Sequence, residues 1–178
     1  MWSPKVTYST RCIAGFGLIA TKPLTKGEVL FVAPRSACLV SRKDRGDTQR
    51  RAATKLIKEA RKKSRSRWRP FLRTLKPAPC PWTWNAKDRA LLQGTELEAV
   101  VQLKVARLDA ERRLVEEVLK ERVSRRTYAH ACAIVASHAN PWFGRSVVPF
   151  NCTLNYGAPG NVAFSERGDA VVGRATRT

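Results

Sequence analysis

Two short stretches of this chain hold residue types whose spacing could do chemistry. In RKKSRSRWR, residues 61–69, six of nine positions are Arg or Lys. A guanidinium is permanently charged and its planar fork matches two oxygens of a phosphate, so the run favours a polyanion. Contacts of this kind neutralise phosphates without reading bases, which predicts salt-dependent, sequence-tolerant binding to RNA. A charge run is more often a solvated face, but here the whole window 41–73 holds fourteen Lys and Arg against three acids. The expected RNA-binding residues are Arg50, Arg51, Lys55, Lys58, Arg61, Lys62, Lys63, Arg65, Arg67, Trp68 and Arg69, with Trp68 placed among arginines to stack on a base. The second stretch is Gly15-Phe16-Gly17. Its glycines permit a positive φ and close approach of another group to the backbone, although a lone glycine-x-glycine is more often an ordinary tight turn. His130 and His138 have no carboxylate or cysteine at metal spacing, so they read as core or partner-facing residues and no metal site is expected.

Elements must position these residues, and composition bounds which. The 178 residues are 43% apolar, enough for one domain with a core, or a domain carrying an insertion. Thirty-four Lys and Arg against fourteen Asp and Glu give a net charge of +20, and a compact body repels itself at that charge unless a polyanion neutralises it. Nucleic acid is therefore the expected partner class. Five cysteines, odd in number and without a CxxC pair, exclude a disulfide scaffold and a zinc knuckle. No apolar run approaches the roughly 20 residues needed to span a bilayer, so an intracellular protein with no membrane partner is expected. Met1 to Gly27 contains no acid, the bias of a mitochondrial presequence, although its period-two alternation reads as strands.

Residues 5–10, 17–24 and 28–34 alternate as three short strands around the glycine turn. RRAATKLIKEARKKS, residues 50–64, has one thin apolar face behind the cap candidates Asp47 and Thr48, and Pro70 is expected to stop the helical run. Prolines 77, 79 and 81 with Trp82 and Trp84 form a stiff connector in which the tryptophans pack. Asn85 caps a short helix, and Thr95 with Glu98 makes a capping box ahead of a long amphipathic stripe, Leu97, Val101, Val105, Leu108, Val115 and Leu119. Thr127 to Ala139 is apolar almost all round and reads as a buried helix. After Pro141, VVPF, NVAFS and AVVGRAT read as strands. Strands, then helices, then strands predict an α+β fold whose two β segments meet. The expected segments are 1–45, a basic helical insert 46–126, and 127–178.

That order and these motifs resemble a SET domain, in the split branch of Rubisco large-subunit and actin-histidine methyltransferases. GFGLIATKPLTKGEVLFVAP is similar to the family's opening glycine-x-glycine and basic-glycine-glutamate turn. RWRPFLRTLKPAPCPWTWNAKDRALLQGTEL resembles its aromatic run leading to a Leu-Gln-Gly-Thr helix start. YAHACAIVASHANPW resembles the helix that ends in Ser-Arg-Ala-Phe, and VVPFNCTLNYGAPGNVAF the Asp-x-x-Asn-His segment. The resemblance implies a SET-like β-fold with a helical insert and S-adenosylmethionine as cofactor, held by Gly15, Phe16, Gly17, Asn155 and the backbone of Tyr156. In it a Cβ at Gly15 or Gly17 would block the cofactor, Asn155 would bond its amine, and the methyl would pass in line to a lysine or histidine nitrogen near a tyrosine.

The pattern also departs from the family. Asn-His is Asn155-Tyr156 here, the aspartate is Cys152, and Ser-Arg is Ser137-His138. The family's catalytic tyrosine lies past the strand matching AVVGRATRT, so no residue here takes a catalytic role. These departures and the charge weigh toward a degenerate, C-terminally short SET-like protein. It is expected to bind rRNA and neighbouring proteins as a structural or assembly component of a ribonucleoprotein such as a mitochondrial ribosome. The alternative is an S-adenosylmethionine-dependent protein lysine or histidine N-methyltransferase.

Overall fold

The computed structural model describes residues 2–12, 15–41, 47–155 and 157–178, which group into two contact units, Met1–Val40 with Asn140–Thr178, and Ser41–Ala139. The architecture is α+β, as the alternation of periods predicts.

The described residues form eight short strands: β1 (Val6–Cys12), β2 (Gly15–Ala20), β3 (Val29–Pro34), β4 (Leu39–Ser41), β5 (Ala139–Asn140), β6 (Arg145–Val147), β7 (Val162–Arg167) and β8 (Ala170–Ala175). They form a hairpin β1-β2 and two three-stranded sheets, β3-β8-β7 and β4-β6-β5. The pairing of β3 with β8 joins the two ends of the chain in one antiparallel ladder, with Phe31 opposite Gly173. A Cβ at Gly173 would lie 2.5 Å from the Phe31 ring. That cross-strand pair therefore needs glycine, and Phe31, 1% exposed, fills the space as the centre of a core that includes Val6, Leu30, Ala33, Phe143, Val148 and Val171. Phe150 and Phe164 close on the same ring, at 5.5 and 6.0 Å between centroids.

The second unit is helical: α1 (Thr48–Arg61), α2 (Arg69–Leu72), α3 (Ala86–Ala90), α4 (Glu96–Leu119) and α5 (Arg125–His138). Local side chains start three of them. Asp47 accepts from Arg50 N at 2.9 Å, Asn85 from Asp88 N at 2.9 Å, and Ser124 from Thr127 N at 3.1 Å, each satisfying a donor that the first helical turn leaves open. The expected capping box at α4 forms differently. Thr95 turns its hydroxyl back to the Leu92 carbonyl, and Glu98 reaches past it to Gly94 N. Pro70 does not stop a helix either. It sits in the first turn of α2, where a fixed φ and a missing N–H cost nothing, and α1 has ended before it.

Along α4 the buried positions are Val101, Leu108 and Val115, seven apart, while Leu97 is 45% exposed. The stripe is thus narrower than its apolar residues suggest. Between α4 and α5 stands Tyr128, 0% exposed, whose hydroxyl donates to Glu111 at 2.8 Å. The same carboxylate receives Lys104 at 2.8 Å. Burial pushes the phenol's pKa upward, so it stays a donor. No helix among the described residues is long and apolar enough to cross a membrane.

α4 ends in a left-handed cap, with Lys120 at φ +55 and its N–H on the Glu116 carbonyl. Glycine is the residue that adopts this conformation without Cβ strain. Lys120→Gly is expected to raise stability by about 1 kcal/mol in urea unfolding, and a loss of similar size would contradict this account of the cap.

Candidate functional site

The glycine turn sits in the β1-β2 hairpin. Ser9 pairs with Gly17 and Cys12 with Gly15, and the register shifts between Ser9 and Cys12. Gly15 has φ +86 and open space around it, so its requirement is conformational. Gly17 differs. A Cβ there would lie 2.0 Å from Asn155 Nδ2 and 3.0 Å from Cys12 Sγ. The space a side chain would take at position 17 is filled by the Asn155 carboxamide, so glycine is required by an intramolecular contact. The resemblance gave the two glycines one reason, room for a cofactor, whereas within the protein Gly17 meets Asn155 and Gly15 meets nothing within 4 Å.

Asn155 follows a single 3-10 turn, Asn151–Thr153, which Phe150 enters at φ +72. A bulky residue in that region is strained, and the strain is held by aromatic packing. The Phe150 ring lies 5.2 Å from Trp2, 5.5 Å from Phe31 and 6.3 Å from Tyr8. Tyr8 in turn stacks on Phe16 at 5.0 Å and 16°. Ring contacts of this kind contribute about 0.5–1.5 kcal/mol each beyond buried area. Of the expected cofactor residues, Gly17 and Asn155 are brought together, while Gly15 and Phe16 stand beside Gly17 in the hairpin, Phe16 being 41% exposed. Tyr156 lies outside the described residues, as does the side chain of Cys152. Sequence reasoning missed the clamp of Trp2, Tyr8 and Phe150. Only the period-two placement of Tyr8 on β1 hinted at it.

Asn155 also lines a groove of about 410 Å³ whose walls include Leu18, Leu30, Leu154 and Val162, with Lys22 and Arg177 on its rim. A second groove of about 430 Å³ runs from Leu154 to Phe164 and shares Asn155 and Asn161 with it. The carboxamide makes no hydrogen bond to another described residue. A half-buried amide left open beside apolar walls and two cations can hold a zwitterionic ligand with an apolar part.

The basic residues fall within the helical unit. The end of α1 leads into a 3-10 turn, Lys63–Arg65. Beneath it lies Glu59, 4% exposed, which sequence reasoning did not single out. Its carboxylate receives Lys62 Nζ at 2.6 Å and Ser66 Oγ at 3.0 Å, and Ser66 Oγ accepts from Trp68 N at 3.3 Å. Burial alone would raise the Glu59 pKa, but the bonds from Lys62 and Ser66 outweigh it and hold it below 4.5. The signal available in the sequence was a lone acid in a run of cations.

Lys58, Lys63, Arg65, Arg67 and Arg69 are exposed. Arg67 lies 4.1 Å and Lys55 5.8 Å from the Trp68 ring centroid. The ring expected to stack on a base thus lies against two cations of its own segment. Arg61 is spent on Glu121 and the Arg122 carbonyl, Arg50 faces Asp47 at 3.8 Å, and Arg51 is engaged as well. At the end of α5, Ser137 Oγ bonds the Ala133 carbonyl at 2.8 Å and His138 Nδ1 at 2.7 Å. Burial lowers the His138 pKa, with an opposing bond to the Ile134 carbonyl. No three His, Cys, Asp or Glu side chains gather as a metal site among the described residues.

The Gly17–Asn155 contact makes a quantitative expectation. Gly17→Ala should destabilise by about 1–3 kcal/mol through overpacking. Adding Asn155→Ala should restore part of that, with a coupling of at least about 1 kcal/mol in a urea-unfolding cycle. Strict additivity would remove the contact from the account.

No family model and no curated protein matches the sequence. Solved structures do. The SET domain of LSMT bound to lysine and AdoHcy matches with a TM-score of 0.78 and 18% identity over 96% of this chain and 46% of that one. Rubisco LSMT bound to sinefungin and monomethyllysine matches at 0.78 and 18%, and Rubisco LSMT bound to AdoMet at 0.77 and 18%, each over 98% of this chain and 45% of theirs. This chain spans less than half the length of these structures, and what it shares with them is the fold: a SET-like domain resembling that of Rubisco LSMT.

Proposed function

We propose that this chain is the donor-binding SET core of an S-adenosylmethionine-dependent protein N-methyltransferase, with lysine or histidine as the acceptor class. The sequence alone weighs an RNA-binding scaffold above the enzyme. The likeness of fold supports the enzyme, because the structures this chain resembles hold AdoMet, AdoHcy, lysine or monomethyllysine.

The observation that carries the reading is the open Asn155 carboxamide, fixed over Gly17 and set in the groove wall. The donor set fits the cofactor. Asn155 offers a carbonyl oxygen to an ammonium, Lys22 and Arg177 offer charge to a carboxylate, and Leu18, Leu30 and Leu154 offer apolar wall to a purine. Phe16, stacked on Tyr8, stiffens the turn that carries Gly17, so the amide is held in place before a ligand arrives. When bound, AdoMet supplies a sulfonium methyl whose transfer to a neutral nitrogen releases AdoHcy and a proton. The residues here bind and orient that donor. Tyr128 takes no part in the transfer, being sealed in the helical core on Glu111.

Titration calorimetry of the purified chain with AdoMet tests the proposal. Binding in the micromolar range is expected, and Asn155→Ala should weaken it at least tenfold, about 1.4 kcal/mol, while leaving the far-UV spectrum intact. Absence of heat at millimolar AdoMet would refute it.

A further inference from the structure

We infer that the turn joining α1 to α2 is a preordered binding surface for the phosphodiester backbone of single-stranded RNA, independent of the donor site. The turn is built to point cations outward. From Arg65 to Arg69 the exposed residues are Arg65, Arg67 and Arg69, and between them Ser66 is buried and Trp68 half-buried. The two inward residues are the ones that are tied down. Ser66 is bonded to Glu59, and Trp68 lies against Arg67 and Lys55. Lys63 holds a left-handed φ of +49 at the start of the turn, a conformation that costs a lysine about 1–2 kcal/mol. The turn keeps it because Glu59 anchors both sides, through Lys62 and Ser66.

The charge is not answered within the protein. Lys58, Lys63, Arg65, Arg67, Arg69 and Arg73 form no ion pair among the described residues, whereas Arg50, Arg61 and Lys62 do. The one acid of the segment is Glu59, which is buried and already shared. An ordinary solvated face intersperses both signs. This one presents six like charges on a short rigid span, which is costly to maintain in water and favourable once counterions are released from a polyanion.

RNA is favoured over an acidic protein because a phosphodiester chain offers single negative charges at regular intervals with no cation among them. Alternating arginines match such a series, and each fork can take a phosphate bidentately. A protein face would bring its own lysines and arginines against the surface. Duplex DNA is disfavoured because the surface is a turn, with no helix or ribbon free to enter a groove.

The test is fluorescence anisotropy of the whole chain with a labelled oligouridine of about 20 nucleotides, between about 50 and 200 mM salt. The expected log–log slope is roughly −3, for about four neutralised phosphates at about −0.7 each. The variant Lys58→Gln, Lys63→Gln, Arg65→Gln, Arg69→Gln changes exposed positions only and keeps Arg67 on the Trp68 ring. It should keep its melting temperature, bind at least tenfold more weakly and show a shallower slope. Glu59→Gln separates a built site from a diffuse field. It removes one negative charge, yet should weaken binding about threefold by releasing the turn. Asn155→Ala should leave RNA affinity unchanged. Undiminished binding by the quadruple variant, tighter binding by Glu59→Gln, or tighter binding of polyglutamate or duplex DNA than of RNA would each overturn the inference.

Discussion

One carboxamide lies where a side chain at residue 17 would be. Asn155 Nδ2 occupies the space that any Cβ at that position would need. The consequence is a constraint on two distant segments at once: β2 must pass with glycine, and the chain after β6 must turn sharply to deliver Asn155. The 3-10 turn at Asn151–Thr153 and the strained Phe150 accomplish that delivery. Trp2, Tyr8 and Phe31 then bear on Phe150 from several sides. Strain of this kind persists only where surrounding packing over-determines it. The β3-β8 ladder, with Phe31 over Gly173, supplies the rigid floor.

The helical unit solves a different problem by a related device. A segment with so many cations cannot hold itself by burial alone, since α1 has only Ala52, Ala53, Leu56 and Ile57 to offer its core. A single buried carboxylate makes up the difference. Glu59 converts two neighbours of the same segment, Lys62 and Ser66, into anchors and leaves the alternate residues outside. Replacing such a carboxylate leaves its partners' donors unanswered, which is why buried polar groups of this sort organise more structure than their number suggests. Both units thus use one fixed polar side chain to set the geometry of an irregular turn.

What was legible in the sequence was mostly local. Asp47 and Asn85 cap their helices because a cap is decided within three residues. Periodicity found α1, α4 and α5, and the order of strands and helices gave α+β. Reading failed where a residue could serve two local purposes. Pro70 can end a helix or begin one, and only the earlier end of α1 decides it. Thr95 and Glu98 have the spacing of a capping box, but Glu98 finds Gly94 N instead. The meeting of Gly17 with Asn155 followed from resemblance to SET domains, yet its steric cause did not, because no pattern in either segment records what fills the space between them. Trp68 was read as a platform for a base, and its ring lies against Arg67, a contact that spacing alone does not reveal. Glu59 was passed over because a single acid among cations looks like compensation until its burial is known.

The central claim is that the Asn155 carboxamide is fixed over Gly17 before any ligand is present. Nuclear Overhauser spectroscopy of the isotope-labelled free chain addresses it directly. The account predicts cross-peaks between the Asn155 side-chain amide protons and the Gly17 α-protons in the absence of AdoMet. Asn155 amide resonances with random-coil shifts and no contact to Gly17 would contradict it.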